Sequence, residues 1–195
     1  MAIIAVTGGI AVGKSVFMEY WRTHFTEPVV DTDDIGRLLL DREDIKNELI
    51  QIFGSQVLDN NQNVDRHIVQ KEIFSNQSKK NDLEALLHPM IRYEFQKKSK
   101  VYLAHHAYCV VIVPLLFETN TASSYDRVCL VESALDQRIR RCFDRGMSES
   151  LTLAVLHAQA TSEQRVSISD DILYNVKDFN FFYILFNNAK YYSFK

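Results

Sequence analysis

Residues 8–15 read Gly8-Gly9-Ile10-Ala11-Val12-Gly13-Lys14-Ser15, a complete G-x-x-x-x-G-K-[ST] phosphate-binding loop. The apolar run Ala2-Ile3-Ile4-Ala5-Val6 precedes the loop and an amphipathic stretch follows it, so the loop lies between a predicted strand and a predicted helix. In such a loop, backbone N–H groups surround phosphate oxygens, the lysine reaches the β- and γ-phosphates, and the serine hydroxyl binds Mg²⁺. The sequence therefore predicts a site for a nucleoside triphosphate.

Predicted strands and helices alternate along the whole chain. Mostly apolar runs at 2–6, 29–30, 108–113, 128–131 and 172–174 are typical of strands covered on both faces. Helical periodicity occurs at 14–25, 35–39, 44–53, 65–74, 81–95, 137–143 and 148–165. This order predicts a three-layer α/β/α fold with a five-stranded parallel sheet, and a long helical stretch inserted between its second and third strands. Pro89 should break or kink its helix, and Phe179–Phe194 is predicted to be a packed terminal helix.

Composition limits the classes of function. The 195 residues are 47% hydrophobic and 24% charged, which is typical of a soluble globular protein. A net charge of -3 gives no reason to expect a nucleic-acid or membrane partner. The three cysteines lack metal-ligand spacing, and we expect neither a signal peptide nor a membrane span. We therefore expect one main cytoplasmic domain, with a monomer favoured and the oligomeric state left open.

Two carboxylates, Asp31 and Asp33, follow the second predicted strand. Ligands of open parallel sheets lie beyond the carboxyl ends of the strands, so we expect both carboxylates to face the same crevice as the phosphate loop. A carboxylate there could take the proton of an acceptor hydroxyl or bind Mg²⁺, and the sequence leaves open which of the two is the base. The alternative is a helix cap, in which Thr32, Asp33 or Asp34 accepts N–H bonds from the next helix.

Four arginines lie close together in a later helix. Arg138, Arg141 and Arg145 share one helix face, and Arg140 lies between them on another. Guanidinium groups carried by a closing lid would stabilise the charge of a transferring phosphoryl group and exclude water. The alternative is a solvated helix face paired with neighbouring carboxylates.

Short segments spread over nearly the whole chain occur in the order found in one enzyme family. They are Thr7 to Ile10 with Gly13-Lys14-Ser15, Val30-Asp31-Thr32-Asp33, Val64-Asp65-Arg66, Glu72-Ile73-Phe74, Leu87-His88-Pro89-Met90-Ile91, Pro114-Leu115-Leu116-Phe117-Glu118, Tyr125-Asp126, Arg141 with Arg145, Ala158-Gln159, and Asp170-Asp171-Ile172 to Asn175. In these segments the chain resembles the dephospho-CoA kinases, which transfer the γ-phosphoryl group of ATP to the 3′-hydroxyl of dephospho-CoA.

The resemblance implies a P-loop kinase core like that of nucleoside monophosphate kinases, with ATP as co-substrate and Mg²⁺ as cofactor. It also implies a helical substrate-binding insertion at about 60–106 and a lid at about 136–160. Asp33 would be the base for the ribose 3′-hydroxyl, and Lys14 and Ser15 would serve the phosphates and Mg²⁺. Arg141 and Arg145 would close over the reacting groups.

The resemblance further implies two sets of ligand-binding residues. The nucleotide set is Gly9, Ala11, Val12, Gly13, Lys14, Ser15, Val16, Arg145 and Asn175, the last near the adenine. The dephospho-CoA set is Asp31, Arg66, His88, Leu115 and Glu118. A structural hydrogen bond is the alternative for His88, and a surface charge is the alternative for Glu118.

The chain also departs from the family pattern. The family has small glycine or serine residues where Ala11 and Val12 stand, a threonine at Val16, and an alanine at Ser169. The end glycines of the loop and its Lys14-Ser15 pair remain, so the loop geometry should survive. The chain after Lys177 does not resemble the family closely.

Two other functions share parts of this sequence pattern. A nucleoside or nucleoside monophosphate kinase would share the loop, sheet and lid, but the segments around His88 and Pro114 favour dephospho-CoA. A GTPase switch is the remote alternative, because Asp33-Asp34-Ile35-Gly36 matches D-x-x-G. That string follows the loop too closely, and Asn175-Val176-Lys177-Asp178 misplaces the lysine of a guanine-binding N-K-x-D motif.

Overall fold

The computed structural model of the chain describes residues 1–175, so the predicted terminal helix and the segment 176–178 lie outside the described residues. The strands are β1 (Ala2–Thr7), β2 (Val29–Asp31), β3 (Tyr108–Ile112), β4 (Arg127–Glu132) and β5 (Asp171–Tyr174). The helices are α1 (Lys14–His24), α2 (Thr32–Leu40), α3 (Glu43–Phe53), α4 (Arg66–Ser75), α5 (Gln77–Leu103), α6 (Leu135–Asp144), α7 (Glu149–Ala158) and α8 (Ser162–Val166). The predicted alternation of strands and helices is confirmed.

The strands form one five-stranded sheet in the order β2-β3-β1-β4-β5. β1 runs parallel to both of its neighbours, with Val6 opposite Ile112 of β3 and Cys129 of β4, and β5 runs parallel to β4. The predicted parallel sheet is therefore confirmed. After β1 the chain crosses to one side of the sheet, and after β4 it crosses to the other. The carboxyl ends of these adjacent strands thus form the switch point where such sheets bind ligands.

The described chain divides into two compact units, one formed by Met1–Val30 with the chain from Tyr102 onward and the other by Asp31–Val101. The core of the first unit joins the sheet to α1. Its largest fully buried side chains include Phe17 and Trp21, which lie one helical turn apart with their rings tilted at 32° and their centroids 5.7 Å apart. Burying each aromatic ring contributes about 2–3 kcal/mol of hydrophobic free energy, and this anchors the helix that follows the loop.

The second unit is helical and has a separate apolar core. The buried members of this core are Ile45, Leu49, Phe53, Val57, Val64, Val69 and Leu83. The expected break at Pro89 is absent, because α5 runs without interruption from Gln77 to Leu103. Leu83 and Phe95 are buried on either side of Pro89, and this packing offsets the hydrogen bond that the proline cannot donate.

A second difference from the sequence prediction lies at 148–165, where one helical pattern becomes two helices, α7 and α8. Thr161 starts α8 with a capping box: its hydroxyl accepts the backbone N–H of Gln164, and the Gln164 side chain accepts the N–H of Thr161. The cap satisfies N–H groups that a continuous helix would have bonded internally, so the chain turns between the two helices. Within residues 1–175, no helix combines the length and apolarity needed to cross a bilayer.

Candidate active site

The phosphate loop connects the end of β1 directly to the start of α1. Gly13 is the N-cap of α1, with a φ of 108°, a conformation that glycine adopts without steric cost. A Cβ atom at Gly13 would also collide with the side-chain amide of Asn175. Glycine is therefore required here both by the backbone and by close packing.

Lys14 folds back over the loop from the first turn of α1. Its Nζ donates to the carbonyl oxygens of Gly8 at 2.6 Å and Gly9 at 2.9 Å. Ser15 is exposed beside it, and Val16 is half-buried. The ammonium group and the serine hydroxyl thus stand at the N-terminus of α1, where the helix dipole and backbone N–H groups favour anions.

The departures at Ala11 and Val12 have different structural meanings. Val12 is fully buried in the core of the first unit, so its side chain does not face a ligand. Ala11 has a φ of 59°, a left-handed conformation that places strain on any residue with a Cβ atom. The family's small residues at this position are therefore easier to fit than the alanine of this chain.

Replacing Ala11 with glycine is expected to raise the free energy of unfolding by about 0.5–1 kcal/mol, because removing the Cβ relieves left-handed strain that outweighs the added chain entropy. Urea unfolding of the two proteins measures the difference. Ala5→Gly is the matched control, because Ala5 is fully buried in β1 and this change should destabilise the protein. Equal losses of stability in both variants would contradict the assigned strain.

Two of the predicted residues hold the middle of the loop by its carbonyl groups. Arg141 in α6 donates from Nη1 to the carbonyls of Ala11 at 3.0 Å and Val12 at 3.3 Å, and to Ser133 Oγ at 3.1 Å. Asn175, at the end of β5, donates from Nδ2 to the Val12 carbonyl at 2.8 Å. The structure therefore brings the loop, Arg141 and Asn175 together.

Two further residues hold the loop: sequence reasoning gave Gln159 no role, and it assigned Arg138 to a lid without predicting its contact with Ile10. Gln159, between α7 and α8, accepts the N–H of Ile10 at 2.7 Å through Oε1, and Arg138 Nε donates to the Ile10 carbonyl at 3.0 Å. Gln159 was part of the family resemblance but carried no assigned role. Both residues lie more than a hundred positions from Ile10, so no local pattern marks the pairing.

A buried ion pair lies behind the loop at the end of β4. Arg165 Nε and Glu132 Oε1 are 3.4 Å apart, with their side chains 4% and 8% exposed. Ser162 Oγ also donates to Glu132 at 3.3 Å. Glu132 is the last residue of β4, at the switch point of the sheet. Asp31 was predicted because ligands lie beyond the carboxyl ends of the strands, and the same rule could have identified Glu132.

The remaining predicted residues of the first unit occupy exposed positions. Arg145 follows the last residue of α6 and is exposed. Glu118 Oε1 accepts the N–H of Ala160 at 2.9 Å, so it tethers its segment to the connection between α7 and α8. Leu115 is 38% exposed, whereas the adjacent Leu116 is fully buried.

In the second unit, Asp31 and Asp33 differ in their local roles. Asp31 is the N-cap of α2, and its Oδ1 accepts the N–H of Asp33 at 2.8 Å. Asp33 is exposed in the first turn, and Asp34 pairs with Arg37. The cap weighed as an alternative for Asp33 is thus provided by Asp31.

Arg66 forms an ion pair within the second unit. Its Nη2 lies 2.9 Å from an Asp41 carboxylate oxygen and donates to the Arg37 carbonyl at 3.2 Å. Arg66 is the first residue of α4, which Asp65 caps. The pair is about half exposed, so it contributes little stability and leaves the arginine accessible to an anion.

His88 lies on an exposed face of α5. It lines an open surface depression of about 290 Å³ together with Pro89, Arg92, Tyr93 and Gln96, all of which belong to α5. Within residues 1–175, His88 makes no hydrogen bond. The alternative role for His88, a structural hydrogen bond, therefore has no support in this unit. The histidine, arginine and tyrosine side chains on this exposed face offer hydrogen-bond donors to a polar or anionic group.

A parallel sheet with a phosphate loop after its first strand, and arginines from later helices on that loop, define the P-loop kinase class. The family model described as dephospho-CoA kinase matches residues 2–180. The chain therefore belongs to the dephospho-CoA kinase family.

Individual relatives agree with this assignment. A protein from Gamma-proteobacterium EBAC31A08 named dephospho-CoA kinase is 36% identical, over 89% of this chain and 87% of its own length. The crystal structure of TT1252 from Thermus thermophilus matches with a TM-score of 0.84 and 26% identity, covering 97% of this chain and 96% of that one. Dephospho-CoA kinase from Campylobacter jejuni shares the fold, with a TM-score of 0.69, 22% identity, and coverage of 96% and 97%.

Proposed function

We propose that this protein transfers the γ-phosphoryl group of ATP to the 3′-hydroxyl of dephospho-CoA, giving CoA and ADP. The observation that carries the proposal is the match of the dephospho-CoA kinase family model to residues 2–180. The geometry of the loop supports it, because Lys14 and the N-terminus of α1 form an anion site at the switch point of the sheet.

On the donor side, the triphosphate is bound by loop and helix residues, namely Gly9, Ala11, Val12 through its backbone, Gly13, Lys14, Ser15 and Val16. Lys14 stabilises negative charge on the β- and γ-phosphates during transfer. The exposed hydroxyl of Ser15 in the first turn of α1 fits a magnesium ligand. Magnesium bound with ATP would neutralise charge on the two outer phosphates. Asn175 lies near the adenine in this proposal, and its hydrogen bond to the Val12 carbonyl links it to the loop.

On the acceptor side, Asp33 accepts the proton of the 3′-hydroxyl as its oxygen attacks the γ-phosphorus. The bond between the γ-phosphorus and the oxygen that bridges it to the β-phosphate breaks, and ADP leaves. Asp31 caps α2 and orients the turn that carries Asp33. In this proposal Asp33 is the base. Asp31 fixes the backbone of Asp33 and contacts the substrate.

The substrate insertion at about 60–106 and the lid at about 136–160 complete the proposal. Arg66 and His88 bind anionic or polar groups of dephospho-CoA, supported by the exposed ion pair of Arg66 and the surface depression at His88. Leu115 and Glu118 line the acceptor pocket from the segment after β3. Arg141 contacts the loop already, and Arg145 moves over the phosphates when the lid closes. A cytoplasmic location and a monomeric state stay predictions.

The test incubates the purified protein with ATP, Mg²⁺ and either dephospho-CoA or a panel of nucleosides and nucleoside monophosphates, and follows ADP release. We expect dephospho-CoA alone to stimulate release, with CoA as the product and EDTA abolishing turnover. Guanosine triphosphate as donor distinguishes a GTPase switch, which would hydrolyse it without an acceptor. Stimulation by a nucleoside but not by dephospho-CoA would refute the proposal.

A further inference from the structure

Two guanidinium groups lie directly against Gly9 of the phosphate loop. Arg138 comes from α6 and Arg165 from α8. A Cβ atom built at Gly9 would collide with Arg138 Nη2 and would lie 3.0 Å from Arg165 Nη2. Both arginines are more than nine-tenths buried, with 6% and 3% of their surface exposed. Gly9 thus leaves room for two buried cations beside the phosphate-binding segment.

The negative charge around these cations is smaller than their positive charge. Glu132 forms an ion pair with Arg165, and it is the one carboxylate among the buried residues of the described chain. Arg138 uses a single donor, Nε, on the neutral carbonyl of Ile10. Its Nη1 and Nη2 have no hydrogen-bond acceptor within residues 1–175. The two arginines and Lys14, whose Nζ donates to the Gly9 carbonyl, therefore outnumber the single buried carboxylate at Gly9.

A buried arginine with a purely structural role is normally paired with a carboxylate, since taking an unpaired cation out of water costs free energy. Burial is the main factor that lowers the pKa of Arg138, the repulsion from Arg165 adds to it, and Glu132 opposes it. The protein thus holds a largely buried cation at the loop, and Glu132 only partly offsets its charge. An anion that binds the loop would offset the remaining charge.

We propose that Arg138 is a polyphosphate-binding residue, whose buried excess charge beside Gly9 is neutralised by the phosphates of the bound nucleotide. The proposal rests on the nucleotide-dependent function proposed above, and it assigns a phosphate-binding role to an arginine of the proposed lid segment that already contacts the loop through Ile10. Because the cation is in place before the nucleotide arrives, its electrostatic contribution needs no lid closure. Affinity should therefore rise with the number of phosphates even without an acceptor.

The test measures dissociation constants for ATP, ADP and AMP by calorimetry in EDTA, where the ligand charge falls with each phosphate removed. Arg138→Met keeps an unbranched apolar stem and removes the guanidinium group with its charge, and Arg138→Lys keeps the charge and changes the hydrogen-bond geometry. In Arg138→Met we expect ATP affinity to fall by about tenfold or more and AMP affinity by no more than about twofold. In Arg138→Lys we expect ATP affinity within about threefold of the parent.

Melting temperature separates charge from structure. We expect ligand-free Arg138→Met to melt at or above the temperature of the parent, because an uncompensated buried charge is gone, while the rise in melting temperature caused by ATP shrinks. Arg140→Met is the matched control, because Arg140 is an exposed arginine of the same helix. This control should change ATP affinity by no more than about twofold at physiological salt.

Two results would overturn the proposal. The first is an equal loss of affinity for ATP, ADP and AMP that is the same in Arg138→Lys and Arg138→Met. It would mean that Arg138 only supports the loop through the Ile10 carbonyl. Lowered melting temperature with unchanged nucleotide affinity would mean a structural role alone. The readout needs no acceptor, so a protein that binds ATP in this graded way but fails to phosphorylate dephospho-CoA would refute only the proposed function.

Discussion

Replacing Lys14 with alanine is expected to lower kcat for phosphoryl transfer at least about a hundredfold, because charge that develops on the β- and γ-phosphates loses its nearest cation. The lysine is held over the loop by hydrogen bonds to the Gly8 and Gly9 carbonyls. Its charge is therefore positioned before the substrate binds, which is the condition under which an electrostatic contribution to catalysis is largest.

The measurement is steady-state CoA formation with ATP and dephospho-CoA both saturating. Arg22→Ala is the control, since Arg22 is an exposed cation in the last turn of the same helix, α1. This control should keep kcat within about twofold of the parent, as expected for a surface change distant from the loop. A Lys14→Ala protein that folds normally and retains kcat within about tenfold would contradict the assigned role.

Replacing Asp33 with asparagine is expected to lower kcat at least about a hundredfold while KM for dephospho-CoA changes little, because the amide cannot accept the hydroxyl proton. The two side chains have the same shape, and the helix cap on Asp31 stays intact. The loss should therefore come from chemistry and not from folding. Initial rates measured over a range of dephospho-CoA concentrations separate kcat from KM.

Neighbouring carboxylates provide the controls for that experiment. Asp34→Asn removes the next carboxylate, which forms an exposed ion pair with Arg37, and should leave kcat within about threefold of the parent. Asp31→Asn retains a side chain that caps helices as well as aspartate does, so α2 should persist. A larger loss of kcat in Asp31→Asn than in Asp33→Asn would assign the base to Asp31 instead.

Local sequence patterns were sufficient for most of the fold. The phosphate loop is contiguous, and the unbroken apolar runs at 108–113 and 128–131 are typical of strands covered on both faces. Helical periodicity also located α1 to within a residue of its observed end at His24. Such patterns succeed because the spacing of apolar residues reflects which face of an element is buried.

Local patterns failed where packing or capping outweighed a local preference. Pro89 disfavours a helix, yet α5 continues through it because buried residues on both sides hold the helix together. The apolar pattern from 148 to 165 has no break, yet the capping box of Thr161 and the contact of Gln159 with Ile10 divide it. In each case, the deciding interaction is a packing contact or a hydrogen bond, and the spacing of apolar residues does not predict it.

The sequence by itself determined that this chain binds a phosphate group, that the loop follows the first strand, and that the fold is a parallel α/β sheet with a helical insertion. Only the tertiary structure decided that Ala11 is left-handed and that buried arginines lie behind the loop. Ile10 meets Arg138 across 128 positions and Gln159 across 149, and Val12 meets Asn175 across 163. Contacts at such separations depend on how the strands are ordered in the sheet, and no local spacing of residues encodes that order.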